Sequence, residues 1–482
     1  MLLRTGSRGG RSSALPLALA ATLAAGCTAG PAPRAEPPTA ARPRAGTARR
    51  AGTDGAARPA QGAARRCPEA PPYAAPDPHR PRYRLFVDVS RDLVSGRLRV
   101  RFTPDLPTRR LVFRLWPNGP RQAAAGARLS TGAVTSGGSR LPARLADPTT
   151  LVVPLGRRLQ PGDEVTVGLP WRLRVPGPVA DRVARAGDTV RLGSFFPLLA
   201  WEPGRGWARD PPTTALAETS SSPSADFDVR VRAPRGAQVL ASGTRVARRR
   251  WRAHAVRDFA LVVGSFQTHR RTVAAPDPVA VTIGVAEGLG GSPRPFSDAV
   301  AAALRDLSHR LGPYPWEALT LAVVPGLGRA GIEYPTMIFQ GSESLDWATT
   351  HEVAHSWFYA LVGNNQARHP WLDEGLTTWS QGRADGTALA LQDYPVADEA
   401  RGHLGKPMSF WEEHESLYFP GVYVQGVRAL AALGSPALVD CALRSYVAAN
   451  AYSVARPRDL VSSLSRVFPE APAVLARFGV RG

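Results

Sequence analysis

The spacing of apolar residues changes once along this chain, and the change divides it. Between about Tyr83 and Val285 large apolar residues alternate with polar ones, as in Tyr83–Val89, Arg97–Phe102, Leu111–Leu115, Thr150–Val153, Val165–Val167, Phe227–Val231, Phe259–Val263 and Val279–Ile283. A period of two sends successive side chains to opposite faces of a strand. Gly, Pro and Asp clusters separate the runs, the pattern of a β-sandwich or a related large antiparallel sheet. From Phe296 the spacing becomes three and four. A helix is expected over Phe296–Leu311, stopped by Gly312-Pro313, then a buried strand over Leu319–Val324. Helical patterns follow around Asp346–Val362, Asp373–Arg383, Gln425–Leu433 and Ser435–Ala449. The division predicts a multidomain α+β chain, with an antiparallel β-sandwich domain over 68–276 and a mainly helical domain over 277–482.

The N-terminus reads as an export signal. Arg4, Arg8 and Arg11 are followed by the apolar stretch Ala14–Ala25, the length of a signal core and short for a bilayer span. It ends in Leu23-Ala24-Ala25-Gly26-Cys27, which resembles the bacterial lipobox, where cleavage leaves a lipidated cysteine. A signal peptide over 1–27 and lipid on Cys27 are expected, placing the protein on the outer face of the cell membrane. An ordinary secretory signal would export it as well. Residues 28–67 are rich in Pro, Ala and Arg, cannot bury enough surface to offset ordering entropy, and are expected to be a disordered tether. Cys67 and Cys441 then remain, and an oxidising compartment would permit a bridge between them; two cysteines alone leave the pairing open. The formal charge is +21, and Lys406 is the only lysine. Nucleic acid would suit such a charge, but no groove-reading motif accompanies it, so no nucleic-acid partner is expected.

The chemistry concentrates in His351-Glu352-Val353-Ala354-His355. On a helix, residues four apart share a face, so both imidazoles reach one metal ion. Good helix formers run from Leu345 to Leu361, with Ser344 available as an N-cap and Gly363 as a stop. A catalytic zinc takes three protein ligands and keeps one position open. Asp373 and Glu374 are the acidic candidates downstream; adjacent helical residues point about a hundred degrees apart, so one of them faces the metal. Spacing favours Glu374, with eighteen residues between it and His355. A third histidine six positions after His355 would mark another class of zinc site, but Leu361 stands there.

From Arg329 to Ser380, and more loosely across residues 80–480, the chain resembles the aminopeptidase N family of gluzincin zinc metallopeptidases, which includes leukotriene hydrolases. The family's G-x-M-E-N motif, often G-M-E-Y-P in bacteria, is matched by Gly331-Ile332-Glu333-Tyr334-Pro335, with Ile332 in place of the methionine. The resemblance implies that Gly331 and Glu333 belong to the substrate site, Glu333 holding a free α-amine from an edge strand beside the metal. The family's Y-x-K-G motif is matched by Tyr423-Val424-Gln425-Gly426, with glutamine for lysine, which makes Tyr423 the candidate oxyanion donor and Tyr418 its competitor. The resemblance further implies a thermolysin-like catalytic half, one zinc ion per chain on His351, His355 and Glu374, and Glu352 as general base. Asp373 stands where the family often has asparagine, and is a candidate supporting group for a ligand.

Two departures bear on the activity. About sixty residues follow Tyr423, too few for the C-terminal helical domain of larger members, so a more open site is expected. The stretch Phe195–Trp201 holds no glutamine or glutamate to serve as the second amine-binding group. An aminopeptidase acting on peptides is therefore the first expectation, with an endopeptidase or epoxide hydrolase on the same zinc as the alternative and a non-catalytic peptide-binding lipoprotein as the third. A monomer, bound to the membrane through its lipid, is expected.

Overall fold

The computed structural model describes residues 67–90, 92–215, 221–345 and 347–481. The expected signal peptide, Cys27 and all of the tether except Cys67 lie outside the described residues. The described residues form one compact unit of mixed α and β structure, built as two halves that share an interface.

In the first half the alternating runs become strands. A nine-stranded sheet carries, side by side, strands Ala225–Arg232, Arg82–Val89, Leu93–Phe102 and Val165–Arg174. Arg82–Val89 pairs antiparallel with Leu93–Phe102 and parallel with Ala225–Arg232. Their inward residues, among them Tyr83, Leu85, Leu98, Val100, Trp171 and Phe227, share one core with residues from two four-stranded sheets. Tyr83 stacks on Phe227 at 4.5 Å, so the aromatic positions of the period-two pattern meet at the centre of that core.

The second half is organised by a five-stranded sheet in the order Phe266–Ala274, Pro278–Ala286, Ala318–Val323, Met337–Gln340, Gly331–Tyr334. Pro278–Ala286 and Ala318–Val323 run parallel, and helix Arg294–Leu311 makes the crossover between them. Gly312, at φ +104°, ends that helix as the sequence predicts. The helices bury one face of this sheet (Ile283, Leu319, Leu321, Ile338). The other face (Ala322, Met337, Phe339) packs on Leu240 and Val262 of the first half. Gly331–Tyr334 is the edge strand, as the motif implies.

Three expectations change. Phe266–Ala274 and Pro278–Ala286 form one antiparallel hairpin, so the 276/277 boundary falls in its turn and the second half's sheet begins upstream of it. Cys67, counted with the tether, and residues 68–74, counted with the β half, lie on the helical half: Cys67 is disulfide-bonded to Cys441, and the Ala74 amide donates to Ala448 O at 3.0 Å. Finally, the helix expected over Asp346–Val362 is the shorter Ala348–Ala354, and Ser344 does not cap it; the Ser344 hydroxyl donates to Gly341 O instead.

The early end of that helix has a physical cause in the other half. Arg257, buried among the strands, donates through Nε to Tyr359 O (2.8 Å) and through Nη2 to Leu361 O (3.2 Å) and Ser453 O, while Nη1 reaches Ser222 O (2.9 Å). The carbonyls that a continuing helix would turn along its axis are held by this guanidinium. Tyr359 takes φ +89°, and a Cβ on Gly363 would come within 2.1 Å of Arg257 Cζ.

Candidate metal centre

Helix Ala348–Ala354 is buried between the edge strand and helix Trp371–Asp385, and carries His351 in its last turn with His355 as its C-cap. One helical turn separates them, so both Nε2 atoms meet at 3.1 Å. Glu374, in the first turn of Trp371–Asp385, brings Oε2 to 3.2 Å from His351 Nε2 and 3.5 Å from His355 Nε2. Three donors around a tetrahedral zinc, bonded at about 2.0–2.1 Å, stand about 3.3 Å from each other. The three observed edges bracket that spacing, and the donor set fits zinc.

The outer faces of the imidazoles are fixed as well. His355 Nδ1 lies 2.8 Å from Asp373 Oδ1 and 3.2 Å from Thr377 Oγ1; His351 Nδ1 lies 3.0 Å from Gln381 Oε1. Acceptors on the Nδ1 side place the proton there and leave both Nε2 lone pairs for a cation. Asp373 thus turns away from the centre and Glu374 toward it, as their angular separation requires. Gln366 Nε2 donates to Asp373 Oδ2 at 2.6 Å and holds it. Burial alone would raise the Glu374 carboxyl, but His351 and His355 outweigh it and hold the carboxylate well below its usual range.

Glu352 and Glu333 sit beside this group. Their carboxylates and His355 present donor atoms all within 4.8 Å of one another. Both are buried, and Glu352 Oε2 and Glu333 Oε1 have no hydrogen-bond partner. Burial, opposed by His355, pushes Glu333 up to about 7 and Glu352 well above the usual carboxylate range. Unpaired buried carboxylate oxygens are costly, and two side by side mark a place built for a bound donor. Gly331 makes room for it: a Cβ there would stand 2.3 Å from Glu352 Cδ and Oε1. From the β half, the Arg182 guanidinium acts on Glu333 and lowers it, whereas Phe195, Phe196 and Trp201 are buried in that half's core.

Tyr423 lies near-parallel to the His351 ring, 6.0 Å away, and Tyr418 stands edge-on to Tyr423 at 5.7 Å. Tyr423 belongs to a π-helix over Phe419–Val424, with Tyr418 as its N-cap. Such turns are rare and cluster at functional sites. The glycine three residues on has a steric reason: a Cβ on Gly426 would meet Gly375 Cα at 2.6 Å. Two backbones touch there, bringing the tyrosine helix against the one that carries Glu374. Burial, then the Glu374 charge, raises both phenols well above their usual range, so both stay protonated donors.

The structure therefore assembles His351, His355, Glu374, Glu352, Glu333, Gly331 and Tyr423 in one place. The sequence reading missed Gln381, Gln366 and Thr377, because an amide or hydroxyl on a helix carries no motif of its own; Gln381 lies seven residues after Glu374, two turns along the same face, and that spacing is the one available signal. His369 is a loop histidine apart from this group, with burial and the neighbouring Arg205 and Arg368 pulling it down to about 4.

No family model matches the chain. Curated relatives match it in part: leukotriene A-4 hydrolase of Xenopus laevis is 35% identical over 82 residues, 16% of this chain and 14% of that protein. Aminopeptidase B of Mus musculus is 37% identical over 114 residues, 22% of this chain and 17% of that protein. Human aminopeptidase RNPEPL1 is 27% identical over 286 residues, 50% of this chain and 38% of that protein. The chain thus spans well under half the length of each. Among solved structures, an M1 zinc metallopeptidase from Deinococcus radiodurans superposes with a TM-score of 0.60 at 21% identity, covering 84% of this chain and 94% of that one. A mutant of that enzyme bound to a Tyr-Ser-Ala substrate gives 0.61. At this identity the likeness establishes the fold.

Proposed function

We propose that this chain, a member of the M1 aminopeptidase family of zinc metallopeptidases by its relatives and its fold, hydrolyses peptides and removes their N-terminal residues. The observation that carries the proposal is the pair of unpartnered buried carboxylates, Glu333 and Glu352, beside a three-donor group spaced for zinc. His351, His355 and Glu374 would hold one zinc ion, which supplies Lewis acidity and lowers the pKa of a bound water. Glu352 takes a proton from the attacking water and passes it to the leaving amine. Tyr423 donates to the carbonyl oxygen as negative charge develops on it. Glu333 fixes the substrate's ammonium group, so that the first peptide bond lies at the reacting centre. In this reading the first half is an N-terminal β-sandwich and the second a thermolysin-like catalytic half. The protein acts as an exported monomer, held on the outer membrane face by lipid on Cys27.

Arg182 favours a second reading. Its charge already lowers Glu333, and a cation near the anchor competes with a substrate ammonium. Internal cleavage of peptides on the same centre is the activity that would follow. Mass spectrometry of peptides offered with free and with acetylated N-termini separates the two, with Glu352→Gln as the background. Loss of single residues from free-ended peptides alone is expected. Internal cuts in acetylated peptides would overturn the aminopeptidase assignment, and equal turnover by Glu352→Gln would overturn the base.

A further inference from the structure

The outer face of the nine-stranded sheet carries a charge arrangement that costs the fold stability. Along strands Arg82–Val89, Leu93–Phe102 and Val165–Arg174, inward residues fill the core and outward positions are largely exposed. The register sets Arg84 directly opposite Arg99, and Arg174 opposite Arg128 of strand Arg128–Thr131. Arg97 and Arg172 project from the same face between these pairs. Like charges directly opposite one another destabilise a sheet. The nearby carboxylates are already engaged: Asp228, opposite Arg84 on the strand Ala225–Arg232, with Arg250, and Glu164 with Arg101 at 2.9 Å. Among the described residues no ion pair involves Arg84, Arg97, Arg99, Arg128, Arg172 or Arg174.

We infer that this face docks on an anionic phospholipid bilayer. Strands lie about 4.8 Å apart and same-face residues about 6.8 Å apart along each strand, so the arginines form an array in two dimensions. A headgroup layer presents its phosphates in two dimensions as well, whereas a linear polyanion asks for a groove or a single stripe. The cross-strand repulsion is relieved when phosphates lie between the guanidinium groups. The outward positions between these arginines include the small Gly168, Pro170 and Ser95, together with half-buried Phe86 opposite Arg97 and exposed Leu93 opposite Arg174. The association is carried by the arginines and is electrostatic, so it weakens as salt shortens the Debye length. It does not depend on lipid at Cys27.

The test uses the full chain with Cys27→Ser, so that no acyl group contributes. The parent is compared with Arg84→Gln/Arg97→Gln/Arg99→Gln/Arg172→Gln and with the four matching lysine substitutions. Co-sedimentation is measured on phosphatidylcholine vesicles and on vesicles with about one third phosphatidylglycerol. At about 1 kcal/mol per arginine near such a surface, the glutamine variant should bind anionic vesicles at least about 100-fold more weakly. The lysine variant should bind like the parent, and peptide hydrolysis in solution should be the same in all three. Equal vesicle binding by the glutamine variant and the parent would overturn the inference. So would tight parental binding to neutral vesicles, or a parental preference for duplex DNA at equal ionic strength.

Discussion

Arg257→Met should show how far the β half builds the catalytic half. The side chain is buried and gives its hydrogen bonds to four backbone carbonyls, two of them in the turn that follows His355. Methionine keeps most of the volume and none of the donors. Four carbonyls stripped of a charged donor, at about 1.5 kcal/mol each, give a loss of roughly 6 kcal/mol. A countervailing effect comes from the guanidinium itself, which has no carboxylate among these partners; burial pushes its pKa down to about 10. That shift is about 3 kcal/mol of desolvation, which the substitution relieves. The net expectation is a destabilisation of about 3 kcal/mol, with hydrogen exchange at 359–363 rising more than elsewhere. Weaker zinc retention should follow, because His355 caps the helix that this turn closes. Urea unfolding and exchange mass spectrometry read the two effects. A variant within about 0.5 kcal/mol of the parent, the usual range for surface changes, would refute the reasoning.

Three other perturbations address the site. Gly331→Ala would place a methyl group 2.3 Å from the Glu352 carboxyl; turnover should fall by about two orders of magnitude with metal content unchanged, the share expected of a displaced general base. Turnover within a few-fold of the parent would show that the strand gives way instead. Glu374→Ala removes one of three donors, and its zinc should dialyse away against a mild chelator; full retention, by elemental analysis, would mean that Asp373 swings in as a ligand. Asp258→Asn tests a buried carboxyl that burial pushes up to about 7, despite donation from Ser194 and the Phe259 amide and the charge of Arg182. A raised folded pKa means the folded state holds the proton more tightly. That contribution is complete below about pH 4 and is lost as pH rises through about 7, up to about 4 kcal/mol relative to the asparagine variant. Parallel stability–pH profiles for parent and variant in urea would disprove it.

The motif residues were legible because local geometry alone relates them. His351 and His355 lie one turn apart on any helix, and Asp373 and Glu374 diverge on any helix, so spacing already named the three candidate metal donors. The strands were legible because burial on one face writes a period of two. What the chain does across the halves has no local signature. The helix formers continue smoothly from Leu345 to Leu361, yet the helix stops at Ala354, because Arg257, nearly a hundred residues upstream, holds the carbonyls beyond it. The π-turn under Tyr423 arises where two glycine backbones must touch, and neither glycine announces the other. The hairpin Phe266–Ala286 alternates like the strands before it, and period two says nothing about which sheet a strand joins. The arginine face carries the same lesson in reverse. Alternation shows that Arg84 and Arg99 point outward, but only the register shows that they point outward side by side. Pairing, not pattern, turns a basic composition into a surface.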